Sequence, residues 1–214
     1  MPAPAAFALN ESTPLIVFAF TSLSFIAVYG NYLLVIAGTT ALLAAIFNSV
    51  NAGVGNLVSE SNTSKIELVF EELFTLRFFL AIVSCYSVYK LTPIFITFWV
   101  GSKFVLETST LILLVILMFI NITRLTVDSF LNAYGLFKDI AAPIIELIIN
   151  ITFSILLGKL FGINGVLVGV ILSMFIIVVC WKPFFLFNKG FKTNFIKFIK
   201  MYLKQFSISW VNFA

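Results

Sequence analysis

An all-α, polytopic membrane protein is the fold class this sequence predicts, and three observations carry it. The 214-residue chain is 61% hydrophobic and only 10% charged, against roughly 45–50% apolar and about 25% charged residues in soluble domains. Its mean hydropathy is +1.13, so it has too little polar surface to coat a globule of its size. Apolar runs also recur along the whole chain at lengths near the ~20 residues that cross a bilayer as a helix.

Those runs cover residues 15–28, 32–58, 74–91, 105–122, 140–160 and 166–187. The first is short, and merging it with the second would give five spans; a turn at Gly30–Asn31 favours six transmembrane helices. Pro93 is expected to end the third span, because it lacks an N–H and clashes with the preceding turn. Residues 94–101 then form an interfacial segment with Phe95, Phe98 and Trp99 at headgroup level. Glu67, Glu71 and Glu72 open the third helix, where carboxylates suit a helix N-terminus. The 26 phenylalanines suit lipid-facing helix surfaces.

Around this six-helix region, residues 14–188, lie a leader at 1–13 and a tail at 189–214. The leader has no basic stretch ahead of its apolar residues, unlike a typical signal peptide. In the tail, Lys189, Lys192, Lys197, Lys200 and Lys204 alternate with aromatic and aliphatic residues. It reads as a basic amphipathic helix on an anionic leaflet, or as the start of a further, truncated span.

Charge orients the chain. With both ends cytoplasmic, Lys65, Arg77, Arg124, Lys138, Lys182 and the five tail lysines fall inside, and Lys90, Lys103 and Lys159 outside. Ten against three satisfies the positive-inside rule. An odd number of spans would move only the N-terminus.

Several functions are disfavoured. The chain has no histidine, which argues against His-ligated metal sites, Ser-His-Asp triads and acyltransferases that need a catalytic His. No nucleophile–base constellation appears, so neither an enzyme nor a cofactor or metal site is expected. Cys85 and Cys180 read as small buried hydrophobes. The net charge of +4 comes mainly from the tail and bears on topology rather than on nucleic acid.

The densest pattern spans residues 135–169 and reads G-x-F-K-x4-P-x2-E-x3-N-x3-S-x2-L-x4-G-x2-G-x3-G. Glu146, Asn150, Ser154 and Leu157 share one helix face. A polar stripe on an embedded helix faces other helices or a wet cavity, which points to a transported substrate. Glu146 is either a substrate-facing or proton-coupling group or a structural hydrogen-bonding one. Asn150 and Ser154 taken singly are the usual interhelical glue, worth about 0.6 kcal/mol per bond. Gly165, Gly169 and Ser173 form a small-residue line suited to close helix packing.

Arg124 and Asp128 stand one helical turn apart and can pair. With Lys138 and Asp139 they make either a solvated loop or a basic lining for a phosphate headgroup. Arg77, about a turn inside the bilayer, either snorkels to the surface or points into a cavity.

Together with Tyr29-Gly30-Asn31-Tyr32-Leu33-Leu34, Val54-Gly55-Asn56-Leu57 and Phe98-Trp99-Val100-Gly101, the 135–169 pattern resembles the polysaccharide-transporter flippases of the multidrug/oligosaccharidyl-lipid/polysaccharide exporter superfamily. The resemblance covers roughly residues 20 to 190 and rests on the order and spacing of these motifs. It implies one lobe of a two-lobed flippase of about 12 to 14 helices, with this chain matching the C-terminal lobe. The implied cargo is an undecaprenyl-pyrophosphate-linked oligosaccharide. Such cargo moves from the cytoplasmic to the periplasmic leaflet of the bacterial inner membrane, for O-antigen, capsule or exopolysaccharide synthesis. The implied mechanism is alternating access.

The resemblance further implies a missing N-terminal lobe or a second copy as partner, alongside polysaccharide polymerase machinery; the Met-Pro-Ala-Pro start suggests a truncated reading frame. Under this likeness Arg77, Arg124 and Lys138 would meet the anionic headgroup, and Glu146 and Asn150 the sugar or a coupling ion. Two other readings stand beside it: a drug or peptidoglycan-precursor exporter of the same superfamily, and an inactive half-flippase that serves as a membrane scaffold.

Overall fold

A computed structural model describes residues 13–14, 16–60, 62–136 and 141–213. Regular structure among them is helical throughout, with no strand. Backbone groups have no water to bond in hydrocarbon, so long helices that satisfy their own hydrogen bonds are the economical form for this composition.

Helix α1 is Leu23–Ser59 and α2 is Thr63–Trp99, each of 37 residues. Ser22 caps α1: its backbone is extended and its Oγ accepts from the Phe25 N–H at 3.3 Å. Asn62 caps α2 in the same way, accepting from the Lys65 N–H at 3.1 Å. A single 3-10 turn, Ser102–Phe104, leads into α3, Thr108–Ala133.

Helix α4, Ala141–Met174, breaks at Gly162, whose φ of 58° and ψ of −139° leave helical space. Its limbs, α4a before Gly162 and α4b after it, fold back on each other. Limb α4b continues through π-helical turns, Phe175–Trp181 and Leu186–Phe191, on either side of a short α-helical turn, Lys182–Phe185. Helix α5 is Ile196–Phe213.

Three stretches are long and apolar enough to cross a membrane: Leu23–Asn48, Thr108–Ala133 and Ala142–Phe191. The last, at 50 residues, contains both limbs of α4. This is an all-α membrane protein. Helix α2 is as long as α1, but Lys65, Glu67, Glu71, Glu72 and Arg77 in its first half lower its hydropathy.

The structure corrects three expectations. No turn forms at Gly30–Asn31; the chain breaks instead at Thr21–Ser22, and α1 runs straight through the glycine. Tertiary contacts override the turn propensity, for Tyr29 and Tyr32 lie buried on one face of α1 and Tyr32 Oη accepts the Leu106 N–H at 3.1 Å. Pro93 does not end its span: it sits inside α2, which continues to Trp99. Membrane helices tolerate such prolines because neighbouring groups and local adjustments re-satisfy the freed carbonyl, here that of Tyr89. Cys85 is buried, but Cys180 is exposed and both are free thiols.

The helices pack in layers along the bundle. We call the two ends inner and outer, following the orientation that the basic residues favour. At the outer end a mostly aliphatic cluster, with two tyrosines, holds Tyr29, Tyr32, Ile96, Leu111, Val166 and Leu167. At the inner end the packing is aromatic: Phe70, Phe74, Phe130, Phe187, Phe191 and Phe198 interlock. Phe70 meets Phe130, Phe187 and Phe191 edge-on at centroid distances of 5.1, 5.5 and 5.3 Å, the geometry favoured by ring quadrupoles. The phenylalanines are divided: those at the inner end build core, while Phe18, Phe79, Phe98 and Phe161 are among those on the outward-facing surface. The outward side of α1 carries aliphatic residues, with Leu34, Leu42 and Ile46 exposed.

Candidate functional site

Two groups of polar residues in the spans hold the described residues singled out from the sequence; a third, Ser109 and Thr110 bonded to Asn164, ties α3 to α4b at the outer end. The first is the seam of the α4 hairpin. A left-handed φ at position 162 reverses the chain without a Cβ penalty because the residue is glycine. Past the turn the limbs touch at backbone distance. A Cβ on Gly165 would lie 1.9 Å from the Leu157 carbonyl oxygen, and one on Gly169 would lie 2.4 Å from the Ser154 nitrogen.

Ser154 is fully buried in that seam, and its Oγ lies 3.1 Å from the Val166 carbonyl and 3.3 Å from Asn150 Oδ1, either of which can accept its proton. Asn150 is buried beside it. Ser173 turns back to the Val170 carbonyl at 2.8 Å. This end of the polar stripe joins helix to helix.

The second place is a charged cluster in the inner half of the bundle. On α3, Asp128 receives two cations: Arg124 Nε at 3.2 Å and, from α4b, Lys182 Nζ at 2.8 Å. Arg124 and Asp128 stand at i and i+4, as their spacing predicts. Glu146 on α4a, 8% exposed, feels the charges of Lys182, Arg124 and Asp128. Arg77 on α2, 3% exposed, lies in the field of Asp128. Its guanidinium stacks 4.4 Å from the Phe47 ring centroid, and its Nη1 donates to Thr126 Oγ1 at 3.5 Å. It therefore does not snorkel; it is held between α1, α2 and α3. Arg124, Asp128 and Lys182 thus pair directly, and Arg77 and Glu146 stand within electrostatic reach of them.

Charges of this kind are costly in hydrocarbon and persist where they pair or meet water. The Asp128 pairs are only partly buried: the side chains of Arg124, Asp128 and Lys182 are 33%, 22% and 21% exposed. Arg124 borders a cleft of only about 10 Å³ between α3, α4b and α5, no more than a single water needs. A larger cavity of about 210 Å³ opens at the inner end, between α2, α4b and α5. Neither of these cavities is lined by Arg77, Glu146 or Asn150.

Of the residues singled out from the sequence, Arg77, Arg124 and Glu146 are brought together around Asp128, and Asn150 is set apart in the seam. Lys138 and Asp139 lie outside the described residues. Sequence reasoning missed Lys182, which it placed at the inner end of its span. A usable signal was present, since the apolar run continues past Lys182 to Phe187. Among the described residues no group of three or more His, Cys, Asp or Glu could hold a metal ion. No protein-family model, curated protein or solved structure matches the chain.

Proposed function

We propose that this protein is a lipid-linked oligosaccharide flippase, moving undecaprenyl-pyrophosphate-linked repeat units from the cytoplasmic to the periplasmic leaflet of a bacterial inner membrane. The motif resemblance supports this reading. The observation that carries it is the Arg124–Asp128–Lys182 ion-pair cluster inside a membrane bundle, with Arg77 and Glu146 in its electrostatic field. A saccharide-pyrophosphate head cannot enter hydrocarbon, whereas its polyprenyl tail can stay there. A flippase therefore needs embedded cations facing a groove open sideways to lipid, and Arg guanidinium is the side chain that best matches phosphate oxygens.

In this reading Arg124 and Lys182, the more accessible cations, meet the pyrophosphate. Asp128 holds them ready and exchanges its place with the incoming phosphate. Arg77 keeps the site electropositive from behind. Glu146 balances that charge and accepts hydrogen bonds from sugar hydroxyls or takes a coupling proton. A partner lobe or second copy supplies the other wall for alternating access.

The test is complementation of a flippase-null strain, with and without a supplied N-terminal lobe. Restored surface glycan in either arm supports transport, and Glu146→Gln is then expected to cut export at unchanged protein level. Full export by that variant removes Glu146 from the mechanism. One observation favours a second reading, a non-transporting membrane scaffold: Asn150 and Ser154 are sealed between helices. Failure of both complementation arms, with the protein present in the membrane, favours the scaffold.

A further inference from the structure

The inner-end cavity is chemically unlike the charged cluster and is not used by the function proposed above. Its floor is aromatic, with Phe70, Phe187 and Phe191, and its rim is ionic. On the rim, Lys197 is paired with Glu67, which cancels both charges locally. Lys200 and Lys204 then face a single further carboxylate, Glu71. Three cations against two carboxylates leave one net positive charge.

The depth of this cavity follows from helix length. Helix α2 has 37 residues, or about 55 Å at 1.5 Å per residue, against a hydrocarbon thickness of roughly 30 Å. Its acidic first turns, Glu67 to Glu72, put much of the excess at the inner end. Helix α5 lies along those same turns: Lys197 pairs with Glu67, Phe198 packs on Phe74, and Gln205 Nε2 donates to Thr75 Oγ1 at 2.6 Å. This places the cavity near headgroup level, with the core rings Phe70, Phe187 and Phe191 as its floor. At about 210 Å³ it admits a group much larger than a water.

We propose that this cavity binds one anionic phosphodiester lipid of the inner leaflet. The lipid phosphate lies between Lys200 and Lys204, and the upper part of an acyl chain covers the phenylalanine floor. The net charge of the rim matches the single negative charge of such a headgroup, and a neutral zwitterionic lipid forfeits that match. The aromatic floor is what commits the site to a lipid rather than to a free phosphate. Binding fastens α5 to α2 and α4b, since the lipid touches all three elements.

The experiment is thermal unfolding of the full chain in neutral detergent with added lipid, where a ligand that binds only the folded state raises the midpoint. Phosphatidylglycerol is expected to raise it by several degrees, and phosphatidylcholine and glycerol 3-phosphate to leave it nearly unchanged. The double variant Lys200→Gln/Lys204→Gln is expected to lose the phosphatidylglycerol shift, and Lys189→Gln/Lys192→Gln, off the rim, to keep it. Should the first double variant fail to fold, Glu71→Gln provides the reading. That side chain is exposed, and removing its charge is expected to enlarge the shift. The proposal is overturned by an equal shift with phosphatidylcholine or glycerol 3-phosphate. It is equally overturned by a shift that survives loss of Lys200 and Lys204, that disappears with Lys189 and Lys192, or that shrinks in Glu71→Gln.

Discussion

The seam of the α4 hairpin and the charged cluster around Asp128 hold polar groups for opposite reasons. In the seam, Gly165 and Gly169 bring two backbones so close that Ser154 reaches a carbonyl on the facing limb, and nothing else fits. In the cluster, Arg124, Asp128 and Lys182 pair with one another yet keep a fifth to a third of each side chain exposed. The seam is finished by its own contacts. The cluster has charge left over. A polar residue in a membrane span thus speaks for function only when its partners fail to use up what it offers.

The largest expected effect comes from filling the seam. Gly165→Leu puts a side chain where even a Cβ would sit 1.9 Å from a backbone oxygen. Overpacking alone costs about 1–3 kcal/mol, and backbone cannot yield as a side chain does. The limbs should separate, and the protein should fail to appear as a single peak in fluorescence-detected size-exclusion chromatography. A normal peak would mean that the hairpin is not closed at Gly165.

Next is Asp128→Asn, which breaks both ion pairs of the cluster and leaves Arg77, Arg124 and Lys182 to repel one another. Hydrogen bonds to charged groups are worth ~1.5–3 kcal/mol, so the unfolding midpoint should fall measurably. A second change, Lys182→Met, should restore part of the loss by removing an unpaired cation. If the double variant is no more stable than Asp128→Asn alone, the pair at 2.8 Å is not the contact that matters.

Seam polarity should matter less. Ser154→Ala removes one interhelical bond of a kind that averages about 0.6 kcal/mol and should leave any glycan export intact, whereas Glu146→Gln should not. Equal losses of export from both changes would erase the distinction between seam and cluster. The smallest effect is expected at the rim of the bundle. Glu67→Gln breaks an ion pair whose lysine side chain is 59% exposed, where such pairs contribute ~0–1 kcal/mol and weaken with salt. A stability change well above that range would show that α5 hangs on this one contact.

The sequence disclosed the class of fold because composition alone forces it, and Gly165 and Gly169 disclosed a close helix contact, whereas the reversal at Gly162 was not singled out. The Arg124–Asp128 pair was legible as an i, i+4 spacing. What stayed hidden depends on contacts between distant segments. Tyr32 reaches the Leu106 amide across 74 positions, and that packing carries the helix through Gly30. Lys182 meets Asp128 across 54 positions, which no local pattern encodes. Nor does helical periodicity distinguish Glu146, set toward the cluster, from Asn150 one turn later in the seam, because both lie on one face and only depth separates them.

The most direct test of this division is water accessibility in intact membranes. In a background carrying Cys85→Ser and Cys180→Ser, single cysteines are placed at positions 124, 146, 150 and 154 and exposed to a membrane-impermeant maleimide from each side. The account predicts labelling of Arg124→Cys from the inner side, slower labelling of the more deeply buried Glu146→Cys from that side, and none of Asn150→Cys or Ser154→Cys from either. Labelling of the seam positions at the rate of the cluster, or silence at all four, would contradict it.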